Sequence, residues 1–210
     1  MNKTHFAAIQ QAATAHIKKI DETAQLAAQE AKTDYLFADV VQTDRKEKRR
    51  AGAAAIITES ATAAKKKALD EIEAMRGAFS KYVTATTDPG ALQALQSLIS
   101  AGITLSQSEV DAFAATGDYA ALRLLEQHTK GRTTAPTLEN FNKDMRDISL
   151  FFDLLAAYSG PACELADAVT VRPWGQSPAV AGAMLESQIS HFPAMLDEIH
   201  DRWAVVKEEA

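Results

Sequence analysis

The residues best equipped to bind something lie in the segment VRPWGQSP, residues 171–178. Arg172 and Trp174 stand there beside two prolines and a glycine, which restrict the backbone and can present a guanidinium and an indole together. Such a pair can hold an anion or a flat ligand such as a nucleotide. The competing reading is that Trp174 plugs the end of a helical bundle. A second group of chemically active residues is a run of cations. Arg45, Lys46, Lys48, Arg49 and Arg50 form one cluster, and Lys65, Lys66 and Lys67 form another about five helical turns further on. On one helix this spacing predicts a basic docking face for an acidic protein or a nucleic acid, against the alternative of a solvated face that keeps a long helix in solution.

Reactive constellations are sparse in the sequence. It contains no HExxH, no phosphate-binding glycine loop and no G-x-S-x-G. A di-metal carboxylate bundle needs paired Glu-x-x-His motifs, and the nearest approach is Asp197 with His200. His5, His16, His128, His191 and His200 are scattered along helical patterns and read as polar or half-buried filler. Cys163 is the only cysteine, so neither an intramolecular disulfide nor a cysteine-based metal cluster can form. No catalytic residue, metal ligand or cofactor is therefore assigned, and the chain reads as a non-enzymatic protein.

The elements that carry these residues are helices throughout. Asp44 to Val83 holds no proline, and Ile57, Ala61, Ala64, Ala68, Ile72, Met75, Phe79 and Val83 recur at three-and-four spacing. Asp44 with Glu47 predicts its capped start. Ahead of it, Phe6, Ile9, Ala13, Ile17, Ile20, Ala24, Ala27 and Ala31 form a narrow stripe suited to packing one helix along another. The two predict an antiparallel helical hairpin, within one chain or between protomers, closed by a turn through Asp34 to Thr43. That turn carries Tyr35, Leu36, Phe37, Val40 and Val41, unusually apolar for a solvent-exposed connection; it is either tucked away or a contact for another chain.

After Val83 the composition shifts to TATTDPG. Asp88 and Pro89 predict a helix start, Gly102 its left-handed stop, and Ser106 with Glu109 a capping box in which Leu105 can clasp Val110. Gly117 breaks that short helix and Asp118 caps the next. The unit can be read as a helix-turn-helix with Arg123, Gln127, His128 and Lys130 facing DNA, although its acidic surroundings oppose this. Thr137 caps a helix with Leu138, Phe141, Met145, Ile148, Phe151, Phe152, Leu154 and Leu155, expected to close at Ser159, Gly160 and Pro161. A short helix through Leu165 and Val169 follows. A final helix from Pro178 is expected to be kinked or restarted at Pro193. The fold class is all-α: a coiled-coil-like hairpin arm over 1–84 and a multi-helix bundle over 88–210.

The net charge of -6 conceals an asymmetry. Residues 1–84 carry 14 Lys or Arg against 11 Asp or Glu, net +3, and residues 85–210 carry 8 against 17, net -9. Opposite halves suit head-to-tail contacts between copies or docking within one chain, and the acidic half disfavours general phosphate binding. The segment LISAGITLSQSEVDAFAATGDYAALRLLEQH resembles one found in a loosely defined group of helical proteins from bacteriophages and prophages of Gram-positive hosts. These place a charged N-terminal coiled coil before an LL-x-SGI-x-L segment and an LRLL helix. The matching positions are Leu98, Ile99, Ser100, Gly102, Ile103, Leu105, Ser106, Glu109, Val110, Leu122, Arg123, Leu124 and Leu125.

That resemblance implies a structural or head-associated assembly role among particle proteins, with copies of itself and another protein as partners. It also implies a location in the cytoplasm of the bacterial host or in the virion. The opening MNKTHFAAIQ lacks the apolar core of a signal peptide, and no eighteen-residue apolar run predicts a membrane span. The alternatives are a protein that sequesters a nucleotide at Arg172 and Trp174 against host defence, or a DNA-associated regulator using the basic face.

Overall fold

The computed structural model describes residues 1–85, 88–129, 137–165, 178–204 and 206, and every regular element among them is helical. α1 spans Lys3–Ala31 and α2 Asp39–Thr84, with one turn of 3-10 helix at Asp34–Leu36 between them. α3 (Pro89–Ser100), α4 (Gln107–Ala114) and α5 (Tyr119–Thr129) follow, and α6 (Leu138–Leu165) and α7 (Pro178–Trp203) complete the described chain.

α1 and α2 form the expected antiparallel hairpin within one chain. Ile20 packs on Ala53 and Ile57, and His16 reaches Ser60. The buried edge of α2 runs Ala53, Ile57, Ala61, Ala64, Ala68, Ile72, Met75, Phe79 and Tyr82. Tyr82 takes the place expected for Val83, which is exposed. On α1 the buried residues are Phe6, Ile9, Ala12, Ala13, His16, Ile20, Thr23 and Ala27, which apart from Ala12 alternate at three and four. His16 and Thr23 thus occupy seam positions expected for Ile17 and Ala24, because the period of the packing and not the polarity of the residue selects them. α2 also begins five residues earlier than Asp44. That aspartate lies inside the helix and bonds Lys48 at 2.8 Å, one turn on.

Contacts divide the chain into two compact units. One comprises Met1–His5, Ile72–Met145 and Glu198–Ala210; the other comprises Phe6–Glu71 and Arg146–Asp197. This is not the division at residues 84 and 88 that the composition shift suggests. The first unit runs from Ile72 to Met145, so the shift to TATTDPG coincides with the end of α2 and falls within that unit. Residues 6–71 accordingly share their unit with parts of α6 and α7 instead of forming a free-standing arm.

The first unit is built on aromatic rings. Phe79 stacks on Phe141 at 4.7 Å, and Trp203 meets both edge-on at 5.4 and 5.3 Å. Trp203 is fully buried, and its indole N–H donates to Asp144 at 2.8 Å while Arg202 grips both oxygens of that carboxylate at 2.6 and 2.8 Å. α3, α4 and α5 form a small bundle around Leu95, Leu105, Val110, Ala121 and Leu125. Its punctuation is as expected. Asp88 accepts from the Ala91 N–H, Ser106 and Glu109 complete a capping box, and Asp118 accepts from the Ala121 N–H. Gly102 has φ +71°, where its lack of a side chain lets the chain turn back as Ile103 N–H bonds Leu98. In the second unit Phe151 stacks on Phe192 at 3.6 Å, and Phe152 meets Phe192 edge-on. α6 does not close at Ser159 to Pro161 but continues to Leu165, and α7 runs through Pro193 without restarting.

Two substitutions in the first unit have opposite expected signs. Asp144→Leu strands the buried indole N–H of Trp203 and is expected to cost about 2 kcal/mol in urea titrations. The Tyr82 hydroxyl is buried with no hydrogen-bond partner among the described residues, and burial foremost, then the Asp118 charge, pushes its pKa up to about 12. Tyr82→Phe removes only that stranded group, so stability is expected to hold or to rise by up to ~1 kcal/mol.

Candidate functional site

The expected basic face does not survive as a face. Consecutive residues on an α-helix point about 100° apart, so a triplet of lysines cannot make one patch. Lys65 bonds Asp153 of α6, Lys66 points outward beside Glu59 and Thr62, and Lys67 lines the groove against α1 near Lys19. The earlier cluster is divided in the same way. Arg45 Nε lies 3.2 Å from one Asp34 oxygen and Arg49 Nη2 2.7 Å from the other, with the Arg49 side chain only 7% exposed. The Arg49 hydrogen bond, with Arg45 assisting against the effect of desolvation, holds the Asp34 carboxyl below the usual range. Lys46 is half-buried and Arg50 exposed. Arg45 and Arg49 are thus consumed in closing the hairpin.

What they close is the turn itself. The Arg45 guanidinium sits 4.3 Å from the centroid of the Phe37 ring, and the Gln42 amide donates to the Phe37 carbonyl at 2.7 Å. Inside the turn, Leu36 N–H donates to Thr33 and Phe37 N–H to Asp34. Braced in this way, the turn displays its apolar side chains to solvent: Tyr35 is 77% exposed, Leu36 65%, Phe37 39%, Val40 83% and Val41 44%. The connection is therefore not tucked away.

His16 is the functional-type residue that pattern reasoning passed over. It is buried in the α1–α2 seam, its Nδ1 lies 3.0 Å from the Ser60 hydroxyl, and a backbone hydrogen bond ties it to Leu155 of α6. Burial lowers its pKa, with the Leu155 bond opposing. The only sequence signal was its place three residues after Ala13 and four before Ile20. Arg172 and Trp174, the expected ligand loop, lie outside the described residues, as does Lys130. Of the remaining helix-turn-helix candidates, Arg123 pairs with Glu126 at 2.6 Å and His128 Nε2 lies 3.4 Å from the Ile103 carbonyl.

Among the described residues no group of three or more His, Cys, Asp or Glu is arranged to hold a metal ion. None of their helices is long and apolar enough to cross a membrane. Set against protein-family models, curated proteins and solved structures, the chain matches none of them.

The buried imidazole carries a pH signature. Its folded pKa lies below the ordinary imidazole value of 6.5, so on acidification the unfolded chain takes up this proton first. The His16 contribution to stability is therefore intact above that value and lost as pH falls below it, the loss ceasing to grow once pH passes the folded pKa. Urea titrations at about pH 7.5 and pH 5.5 are expected to show a smaller stability difference in His16→Gln than in the wild type. An equal difference in both would assign the acid sensitivity to other groups.

Proposed function

We propose that this protein is a non-enzymatic interaction component that works through contacts with copies of itself and with another protein. The observation that carries the reading is the braced hairpin turn, which uses Asp34, Gln42, Arg45 and Arg49 to hold five large apolar side chains at the surface. A connection that only joined two helices would not need exposed aromatic and β-branched residues, nor polar groups arranged to stiffen it. The resemblance of Leu98–Leu125 to the phage and prophage proteins supports placing this work in a particle, as a structural or head-associated assembly component. The host cytoplasm and the virion are then its places of action.

DNA regulation is not favoured, because Arg45, Arg49 and Lys65 are committed to Asp34 and Asp153. Light scattering on the full chain is expected to report a mass above that of one protomer, and immunoblots are expected to find the protein in sedimenting particles or their precursors. A strictly monomeric protein that stays out of particles would remove the reading. A steeply salt-dependent shift of duplex DNA, abolished by Lys66→Glu with Lys67→Glu, would transfer it to nucleic acid.

A further inference from the structure

We infer that the hairpin turn, residues 35–41, is a homotypic docking surface whose occupant is the same turn of a second copy of this chain. The inference rests on the reading that the protein works by self-association, and it names the surface responsible.

Three observations select this occupant. The surface is apolar at its centre and nearly neutral at its margin: residues 30–50 hold six cations (Lys32, Arg45, Lys46, Lys48, Arg49, Arg50) and five carboxylates (Glu30, Asp34, Asp39, Asp44, Glu47), net +1. Arg45 and Arg49 are spent on Asp34, and Lys48 on Asp44. An anionic membrane or a nucleic acid rewards uncompensated positive charge, and little is on offer here. Two like turns, by contrast, repel one another only weakly.

The chain on either side of the turn also carries both signs, with Lys32 before it and Asp39, Lys46 and Glu47 after it. An isologous contact brings each residue of a patch against the same patch on its partner, so a surface with both signs can complement itself across a two-fold axis. Finally, the turn is already ordered. Asp34 accepts from Arg45 and Arg49, the Phe37 ring lies against Arg45, and Gln42 bonds the Phe37 carbonyl, so docking orders little additional chain. Five side chains make a patch smaller than the standard interface of about 800 Å² per partner, which places the contact among weak, reversible ones.

The test uses the full chain at rising concentration in sedimentation equilibrium. The wild type is expected to move from one chain mass toward twice that mass. Tyr35→Glu combined with Val40→Glu is expected to stay at one chain mass with an unchanged circular dichroism spectrum, both residues being solvent-exposed. In a second arm, Val40→Cys on a Cys163→Ser background is expected to form a 40-to-40 disulfide between chains under mild oxidation. If the wild type self-associates but the Glu variant does so equally, or no 40-to-40 crosslink forms, the assignment of the turn fails while self-association stands. A wild type that remains monomeric overturns both. Co-sedimentation of the wild type with phosphatidylserine vesicles, lost in the Glu variant, would give the surface to a membrane and overturn the proposal.

Discussion

The structure depends on a single buried edge along α2. From Ala53 to Tyr82 the buried edge repeats at three-and-four spacing within an uninterrupted helix of 46 residues, and both compact units include part of that helix. Its residues change character along its length. Alanine at positions 53, 61, 64 and 68 permits close approach of neighbouring backbones, whereas Met75, Phe79 and Tyr82 supply bulk. Burial of a ring contributes far more than burial of a methyl group, about 0.8 kcal/mol per CH₂ equivalent. The aromatic end is therefore stabilised mainly by transfer from water. The alanine end relies on dense, close contact, which tolerates no enlarged side chain without displacing a helix.

Polar groups in this framework are assigned to structural work. Asp144 satisfies the indole of Trp203, Asp118 caps α5, Asp34 closes the hairpin and His16 bridges α1, α2 and α6. Each is a group whose burial would be costly alone and is acceptable because donors meet it. These assignments give four polar residues a place in holding helices together or ending them.

Much of the fold was legible because helices announce their ends through short-range chemistry. Asp88 with Pro89, the Ser106 and Glu109 box, Gly102, Asp118 and Thr137 all act as read, since a cap involves atoms three or four residues apart. Three of the readings that needed correction concern which side of a helix faces a partner. Val83 against Tyr82, Ile17 against His16 and Ala24 against Thr23 each differ by one residue, which is about 100° of rotation. An apolarity pattern cannot resolve that when alanines flank the seam. Asp44 reads as a cap from its neighbours alone, yet the helix extends beyond it because Asp39 to Thr43 can continue the same turn.

By itself the sequence determined that this is a helical protein, where most of its described helices begin, and that one long stripe organises the first half, because these are set by backbone hydrogen bonding and residue periodicity. Only the tertiary structure decided what the charges do. Arg45 and Arg49 find their anion 11 and 15 residues earlier, and Lys65 finds its anion 88 residues later, so a cluster that looks like one basic face in the chain is dispersed in space. The same is true of the apolar turn. Whether Tyr35, Leu36 and Val40 are covered or displayed depends on which helices pack beside them, a relation between distant segments that local spacing does not encode.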